Sequence, residues 1–264
     1  MTIYVMTHKF INISLPDNYK LMLLGAYKRD KIPSNYVTDD KGDNISLKNS
    51  SYCELTGLYE LWKNYTDKNL GLVHYRRFFT NKNYYSRFIM YLIILIFGKA
   101  ELSPIDESNL DNYLKDYDWI VPTRELEAGM TLWDHYSKYH FEKDLILTEK
   151  VINNKYPEYK EAFKQVLHRQ NKMSPFNMFY TSKEQMDSYC EWIFSVLSDI
   201  ESVTDISNYD KFQRRIYGFL AEELFNVWLY KHSELRIKYL SVYNTHLISR
   251  KQILSRISNR GRII

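Results

Sequence analysis

An α/β protein with a mostly parallel central sheet is what this sequence predicts, and three observations carry it. Short apolar runs alternate with stretches of helical period along nearly the whole chain, which calls for strands joined by helices. No internal repeat or low-complexity linker divides the chain, and only 8 Gly and 6 Pro punctuate its 264 residues, so one main domain is expected. Polar groups follow three of the strands, at residues 7–9, at 74–77 and near Arg124. In open parallel sheets, ligands bind beyond the carboxyl ends of the strands.

Taken in order, residues 3–6 read as the opening strand and 21–26 as a second apolar run. Residues 33–50 are rich in Asp, Asn and Ser and read as a long loop, a feature usually tied to function in compact domains. Ser51 and Glu54 have the spacing of a capping box, opening a helix to about Tyr65 with Leu55, Leu58, Tyr59 and Trp62 on one face. Residues 70–73 form a short strand, and 84–105 an inserted helix and loop. Ser108 and Asp111 are expected to cap the next helix, before a strand at 119–122. Helices follow at 131–140 and 148–170, the last piece opened by Pro157. A strand at 176–181, a helix capped by Ser182, a strongly periodic helix at 215–231 and a closing strand at 237–242 complete the domain. The division expected is a domain over 1–243, carrying the apolar insertion at 80–105, and a basic amphipathic tail over 244–264.

Hydrophobic and charged contents of 45% and 26% are ordinary for a globular chain. Aromatics are not: 24 Tyr, 13 Phe and 5 Trp make 16% of it, which suits stacking on sugars or bases and also suits membrane interfaces, while codon bias toward Tyr, Asn, Lys and Ile explains it equally well. Cys53 and Cys190 match no metal or redox spacing and read as buried thiols of a reducing compartment. The start is expected to hold no export signal, so a cytoplasmic location is expected. The apolar run 88–97 is half of a bilayer span. After Glu234 there is no acidic residue, while Arg250, Lys251, Arg256, Arg260 and Arg262 interleave with Leu247, Ile253, Leu254 and Ile257. Such a segment suits an anionic membrane surface or simply a solvated tail; no nucleic-acid motif accompanies it.

The sharpest local feature is GLVHYRRFF, which sets His74, Arg76 and Arg77 at a strand end. Arginine's planar fork suits phosphate oxygens and keeps its charge, though one arginine could instead pair with a carboxylate. Thr7, His8 and Lys9 after the first strand are a weaker nucleotide-binding signal. Asp39, Asp40, Asp43 and Asn44 in DDKGDNIS could hold a metal or ribose hydroxyls, or serve only the turn. In FLAEELF, Glu222 and Glu223 point about 100° apart, so one carboxylate should face inward and could act as a base, the rival being a solvated pair. His135 and His140 are five residues apart and miss the four-residue spacing of a zinc helix.

Together, GDNISLKNSSYCELTGLYELWKN, LGLVHYRRFF, DWIVPT, FNMFYTSKEQMDSYCEWIF and GFLAEELFNVWL, in that order over about residues 2–243, resemble a glycosyltransferase family first catalogued as a domain of unknown function. Its members occur in capsule, exopolysaccharide and O-antigen gene clusters, and some are galactofuranosyltransferases using UDP-galactofuranose. The resemblance implies a GT-A-like fold and a hexosyltransferase that moves galactofuranose or galactose from a UDP-sugar donor to a lipid-linked oligosaccharide, with inversion, peripheral on the inner face of the membrane. Glu222 is then the catalytic base, with His74, Arg76 and Arg77 beside it. Thr7, His8, Lys9, Asp43 and Asn44 hold the nucleotide. GT-A enzymes usually carry an Asp-x-Asp metal motif where this chain has His74-Tyr75-Arg76-Arg77, so no metal or cofactor is expected to be required, the arginines neutralising the diphosphate instead. The family usually shows an arginine where this chain has Glu223. The alternative expectation is a non-catalytic regulator that binds sugar nucleotide or polysaccharide on the same fold.

Overall fold

In the computed structural model, which describes residues 2–82, 87–100, 102–126 and 129–260, successive side chains of the first strand divide between two cores. Tyr4 and Met6 of β1 (Thr2–Thr7) pack into one hydrophobic cluster, Ile3 and Val5 into the other. A strand covered on both faces must be apolar at consecutive positions, which is why these strands read as runs.

The chain continues through β2 (Tyr19–Leu23), β3 (Tyr36–Thr38), α1 (Asn49–Tyr52), α2 (Leu55–Asn64), β4 (Asn69–His74) and β5 (Arg77–Phe79). Next come α3 (Arg87–Phe97), α4 (Glu107–Tyr113), β6 (Trp119–Pro122), β7 (Glu125–Leu126), α5 (Leu132–Tyr139), α6 (Glu142–Lys155) and α7 (Lys160–Arg169). The last elements are β8 (Lys172–Met173), β9 (Phe179–Ser182), α8 (Lys183–Val203), α9 (Ile216–Lys231), β10 (Ile237–Leu240), β11 (Val242–Asn244) and α10 (Arg250–Arg260). The main sheet runs β10-β6-β9-β4-β1-β2-β3, with β5 and β11 attached beside β4. Along that path every neighbour pair is parallel except the two made by β9, so the mostly parallel sheet expected from strand–helix alternation is present.

The larger core lies between the sheet and α2 with α5–α9, centred on Trp119, Phe179, Tyr189, Phe225 and Trp228. The smaller core holds Met90 and Ile94 of α3, Leu110 of α4 and Ile253 of α10 against the opposite face. Ser182 caps α8 by accepting from the Gln185 N–H at 3.3 Å, and Thr131 caps α5 in the same way.

Several local expectations are corrected. The 33–50 segment is not all loop: it contributes β3, and Asp39 organises it by accepting from the Gly25 and Ala26 N–H groups and from the Ser46 and Thr56 hydroxyls, at 2.5–3.0 Å. Ser51 and Glu54 form no capping box. Ser51 lies inside α1, Cys53 breaks the helix at a φ of 52°, and Glu54 turns into the interior. Neither Ser108 nor Asp111 caps α4; both lie within it, after Asp106 at the N-cap, and Asp111 instead accepts from Asn69 and Tyr180. Residues 176 and 177 have positive φ, so the expected strand at 176–181 starts only at Phe179. The closing strand continues as β11, which pairs with β5. The expected insertion supplies α3, with residues 83–86 and 101 outside those described, as is Arg262 of the basic tail. The described part of that tail is docked rather than loose, with Leu247 and Ile253 buried.

Candidate active site at the strand ends

β1 and β4 are parallel with Met6 beside His74, so both end at one edge of the sheet. β9 is antiparallel to β4 with Phe179 beside Leu72, so the turn before β9 arrives at that same edge. α9 and the α1–α2 break close over it. The result is a cavity of about 820 Å³ lined by His8, His74, Arg76, Arg77 and Glu222 together with Cys53, Glu54, Phe176 and Arg215. That size suits a nucleotide-sugar-sized ligand.

Phe176 ties the central residues together. Its N–H donates to Glu222 Oε2 at 2.9 Å, and its carbonyl lies 2.6 Å from His74 Nε2. A carbonyl only accepts, so His74 carries its proton on Nε2. The Arg77 guanidinium sits 4.3 Å from the centre of the Phe176 ring. One residue, at a φ of 80°, thereby orients a carboxylate, an imidazole and a cation. Burial, then the adjacent Arg77, pushes the His74 pKa down to about 4, so its ring is neutral near pH 7.

Beneath this clamp lies a second acid. Glu54 is buried and accepts from Asn177 Nδ2 at 2.8 Å, and Asn177 also donates to the Gly218 carbonyl at 3.2 Å. Burial raises the Glu54 pKa. Burial, followed by the negative charge of Glu54, raises that of Glu222. Arg215 moderates both: it donates to Cys53 Sγ at 3.2 Å and acts electrostatically on Glu54 and Glu222. Helix α9 approaches closely because residue 218 is glycine, where a Cβ would lie 3.3 Å from Cys53 Cβ and Sγ. The non-glycine residues with positive φ among the described residues are Cys53, Phe176 and Asn177, and all belong to this site or its immediate support. Such conformations cost on the order of 1–3 kcal/mol each and cluster where geometry serves function.

The cavity is cationic. Besides Arg76 and Arg77, it is lined by Lys28, Lys211, Arg214 and Arg215. Arg76 Nε is buried without a hydrogen-bond partner, while its carbonyl accepts from the Thr245 N–H at 3.0 Å. The place after β4 where the resemblance puts a metal-binding acid pair is occupied by one imidazole, whose Nε2–H is held by the Phe176 carbonyl, and two guanidiniums, whose charge repels a divalent cation. This donor set does not fit a metal.

Of the remaining residues singled out by sequence, His8 lines the cavity, stacked edge-on to Tyr75 with centroids 5.4 Å apart. Thr7 is buried and its hydroxyl donates to the Lys9 carbonyl at 2.6 Å, and Lys9 projects over Tyr75 at 4.9 Å. Asp43 and Asn44 lie outside the cavity lining. Asp43 accepts from the Tyr59 hydroxyl at 3.2 Å, and Asn44 bonds Gly42 and Ser46 within its own turn. Arg124 belongs to a separate cavity of about 390 Å³, donating to Gln170 and Lys172. Glu223 is buried on another side of α9, where its charge acts on Tyr136, so it is not the solvated member of the pair. The sequence gives no sign that Phe176 and Arg215 belong to the site, and Glu54, expected as a helix cap, is part of it instead.

The model of a family described as a domain of unknown function, DUF4422, matches residues 2–233. Among solved structures, the apo structure of the WbbM bifunctional glycosyltransferase is similar at 28% sequence identity and a TM-score of 0.79, over 92% of this chain. The match covers 45% of the WbbM chain, so this protein spans less than half that length. No curated protein matches significantly. The similarity assigns the α/β architecture to the GT-A-like fold.

Proposed function

The chain belongs to the DUF4422 family, and we propose that it is a glycosyltransferase that moves a hexose, galactofuranose or galactose, from a UDP-sugar to a lipid-linked oligosaccharide in surface-polysaccharide assembly. The observation that carries this reading is the junction, in one nucleotide-sized cavity, of a fixed carboxylate with a cluster of arginines. Similarity to a bifunctional glycosyltransferase supports it.

In the proposed inverting mechanism, Glu222 takes the proton of an acceptor hydroxyl. The oxygen forms a bond to the anomeric carbon as the bond to the diphosphate breaks, and UDP leaves with the electron pair. A base whose pKa is raised toward the working pH is suited to that step. Arg76 and Arg77 stabilise the charge growing on the leaving diphosphate, a contribution typically of a few kcal/mol. Neutral His74 serves as a positioning residue: its Nε2–H holds the Phe176 carbonyl, and the Phe176 N–H in turn holds Glu222.

The test is incubation with a panel of UDP- and dTDP-sugars, with and without a chelator, following donor hydrolysis and saturation binding. Hydrolysis of a UDP-hexose that survives chelation is expected. A protein that binds donors but neither hydrolyses nor transfers them is a binding regulator, and one that ignores every donor is not a transferase of this kind. Loss of turnover in chelator, restored by manganese, would return the diphosphate to a metal.

A further inference from the structure

Helices α3 and α10 form one unit on the sheet face opposite the larger core. Met90 and Ile94 of α3 and Ile253 of α10 point inward and are buried. The carboxyl end of α3 is closed by the other helix: Arg250 donates from Nε to the Leu95 carbonyl and from Nη2 to the Ile96 carbonyl, both at 2.7 Å. Gly98, at a φ of 88°, ends α3, and its carbonyl accepts from the Arg250 N–H at 2.8 Å. Lys99 and Ser249 bridge the two segments in antiparallel fashion.

The outward side of this unit is apolar. Phe88, Leu92 and Ile96 are spaced four residues apart, so they share one face of α3, and they are 75%, 46% and 59% exposed. Phe97 at 74%, and Leu254 and Ile257 of α10 at 51% and 59%, add to it. Exposed apolar surface on this scale needs a partner. Charge says which. Lys99, Lys251 and Arg256 are exposed, and neither residues 80–100 nor residues 235–264 contain a single Asp or Glu. At 11 residues, α3 is about 16 Å long, well short of a hydrocarbon core of about 30 Å. No described helix is long and apolar enough to cross a membrane.

We infer that the α3–α10 pair is an interfacial platform that inserts its outward apolar face shallowly into an anionic lipid surface, with Lys99, Lys251 and Arg256 on the headgroups. Short amphipathic helices with cationic polar residues bind membranes in this way. The inference deepens the proposed function, resting on its lipid-linked acceptor. It also moves the attachment from the tail alone to a surface shared with α3. The platform is tied to the cavity by β11, whose Asn244 pairs with Arg77, and by the Thr245 N–H bonded to the Arg76 carbonyl. Removing the tail would strip Leu247 and Ile253 from the smaller core, so surface substitutions test the idea better than truncation.

Full-length protein should therefore co-sediment with phosphatidylglycerol–phosphatidylcholine vesicles, more weakly as salt rises. The triple variant Phe88→Ser, Leu92→Ser, Ile96→Ser should lose at least 10-fold in vesicle partition at every salt concentration while its melting temperature and donor hydrolysis stay unchanged. The double variant Lys251→Glu, Arg256→Glu should lose binding to anionic vesicles and most of the salt dependence. Wild type that ignores anionic vesicles, or triple-variant protein that binds them as well as wild type, overturns the proposal. So does a concentration-dependent dimer that the triple variant abolishes, because the face would then belong to a second copy. Vesicle binding without donor hydrolysis leaves the platform standing and removes the transferase reading instead.

Discussion

At the cavity edge Glu54 is buried and Glu222 and His74 are half-buried, whereas on the α3–α10 pair Phe88 and Phe97 are left three-quarters exposed. Each region holds side chains where folding alone would not put them. The cavity gathers its groups from six segments distant in sequence, and strains Cys53, Phe176 and Asn177 to do so. The platform is built from two short helices that a handful of backbone contacts join. The cavity's arrangement is therefore tertiary and each residue in it depends on the others, while the platform's outward residues touch little and can be changed one at a time.

The largest effect expected falls on Glu222. Glu222→Gln keeps the shape and removes the base, so turnover should drop by about 100-fold or more while donor binding persists. The wild-type rate should rise with pH through a pKa above the usual carboxylate range, since burial and Glu54 raise it, and the variant should lose that limb. Glu223→Gln is the comparison within the same helix. Its carboxylate is buried away from the cavity, so any effect should appear in the melting temperature rather than in the pH profile. A pH limb that follows Glu223 instead would place the base on the wrong side of α9.

How far each region was legible in the sequence follows from the same contrast. The apolar run 88–97 and the acid-free tail are contiguous features, so the sequence displays them directly, though not that Ile253 and Arg250 lock one onto the other. His74, Arg76, Arg77 and Glu222 were visible because each sits in a short motif on a regular element. Phe176 was not, since its backbone N–H and carbonyl do the work and every residue but proline carries both. Glu54 was read as a cap because Ser-x-x-Glu before an apolar helix usually is one. The φ of 52° at Cys53, a tertiary outcome of α9 packing at Gly218, breaks that helix and turns the acid inward. Asp39 and Asp43 look alike in sequence, yet the carboxylate of one is a buried acceptor of four hydrogen bonds and that of the other accepts from the Tyr59 hydroxyl at the surface.

A smaller effect is expected at the arginine pair. Hydrogen bonds to charged groups contribute about 1.5–3 kcal/mol each, so even the net loss of one such contact in Arg76→Ala with Arg77→Ala should weaken UDP binding by roughly 10-fold, measured by calorimetry. Lys28, Lys211, Arg214 and Arg215 remain to hold part of the diphosphate charge, which limits the loss. The same substitutions should leave vesicle binding intact, because both arginines line the cavity. Unchanged nucleotide affinity would give the pair a structural role.

The smallest effect, and the one that separates the two carboxylates, concerns Glu54. Because its folded pKa is raised above the unfolded value of 4.5, the folded state binds the proton more tightly, and stability falls as pH rises from there through the folded pKa. Glu54→Gln removes that dependence while its amide oxygen can still accept from Asn177 Nδ2. The variant should therefore melt higher than wild type at neutral pH, and the gap should close as the pH approaches 4.5. Loss of the neighbouring charge should also move the acid limb of turnover to lower pH, since Glu54 helps to raise Glu222. A higher melting temperature with no movement of that limb would mean that Glu54 already holds its proton in the working enzyme. A lower melting temperature at neutral pH would mean that the anion itself braces Asn177 and Arg215, and that the buried charge is part of the scaffold rather than a cost the site carries.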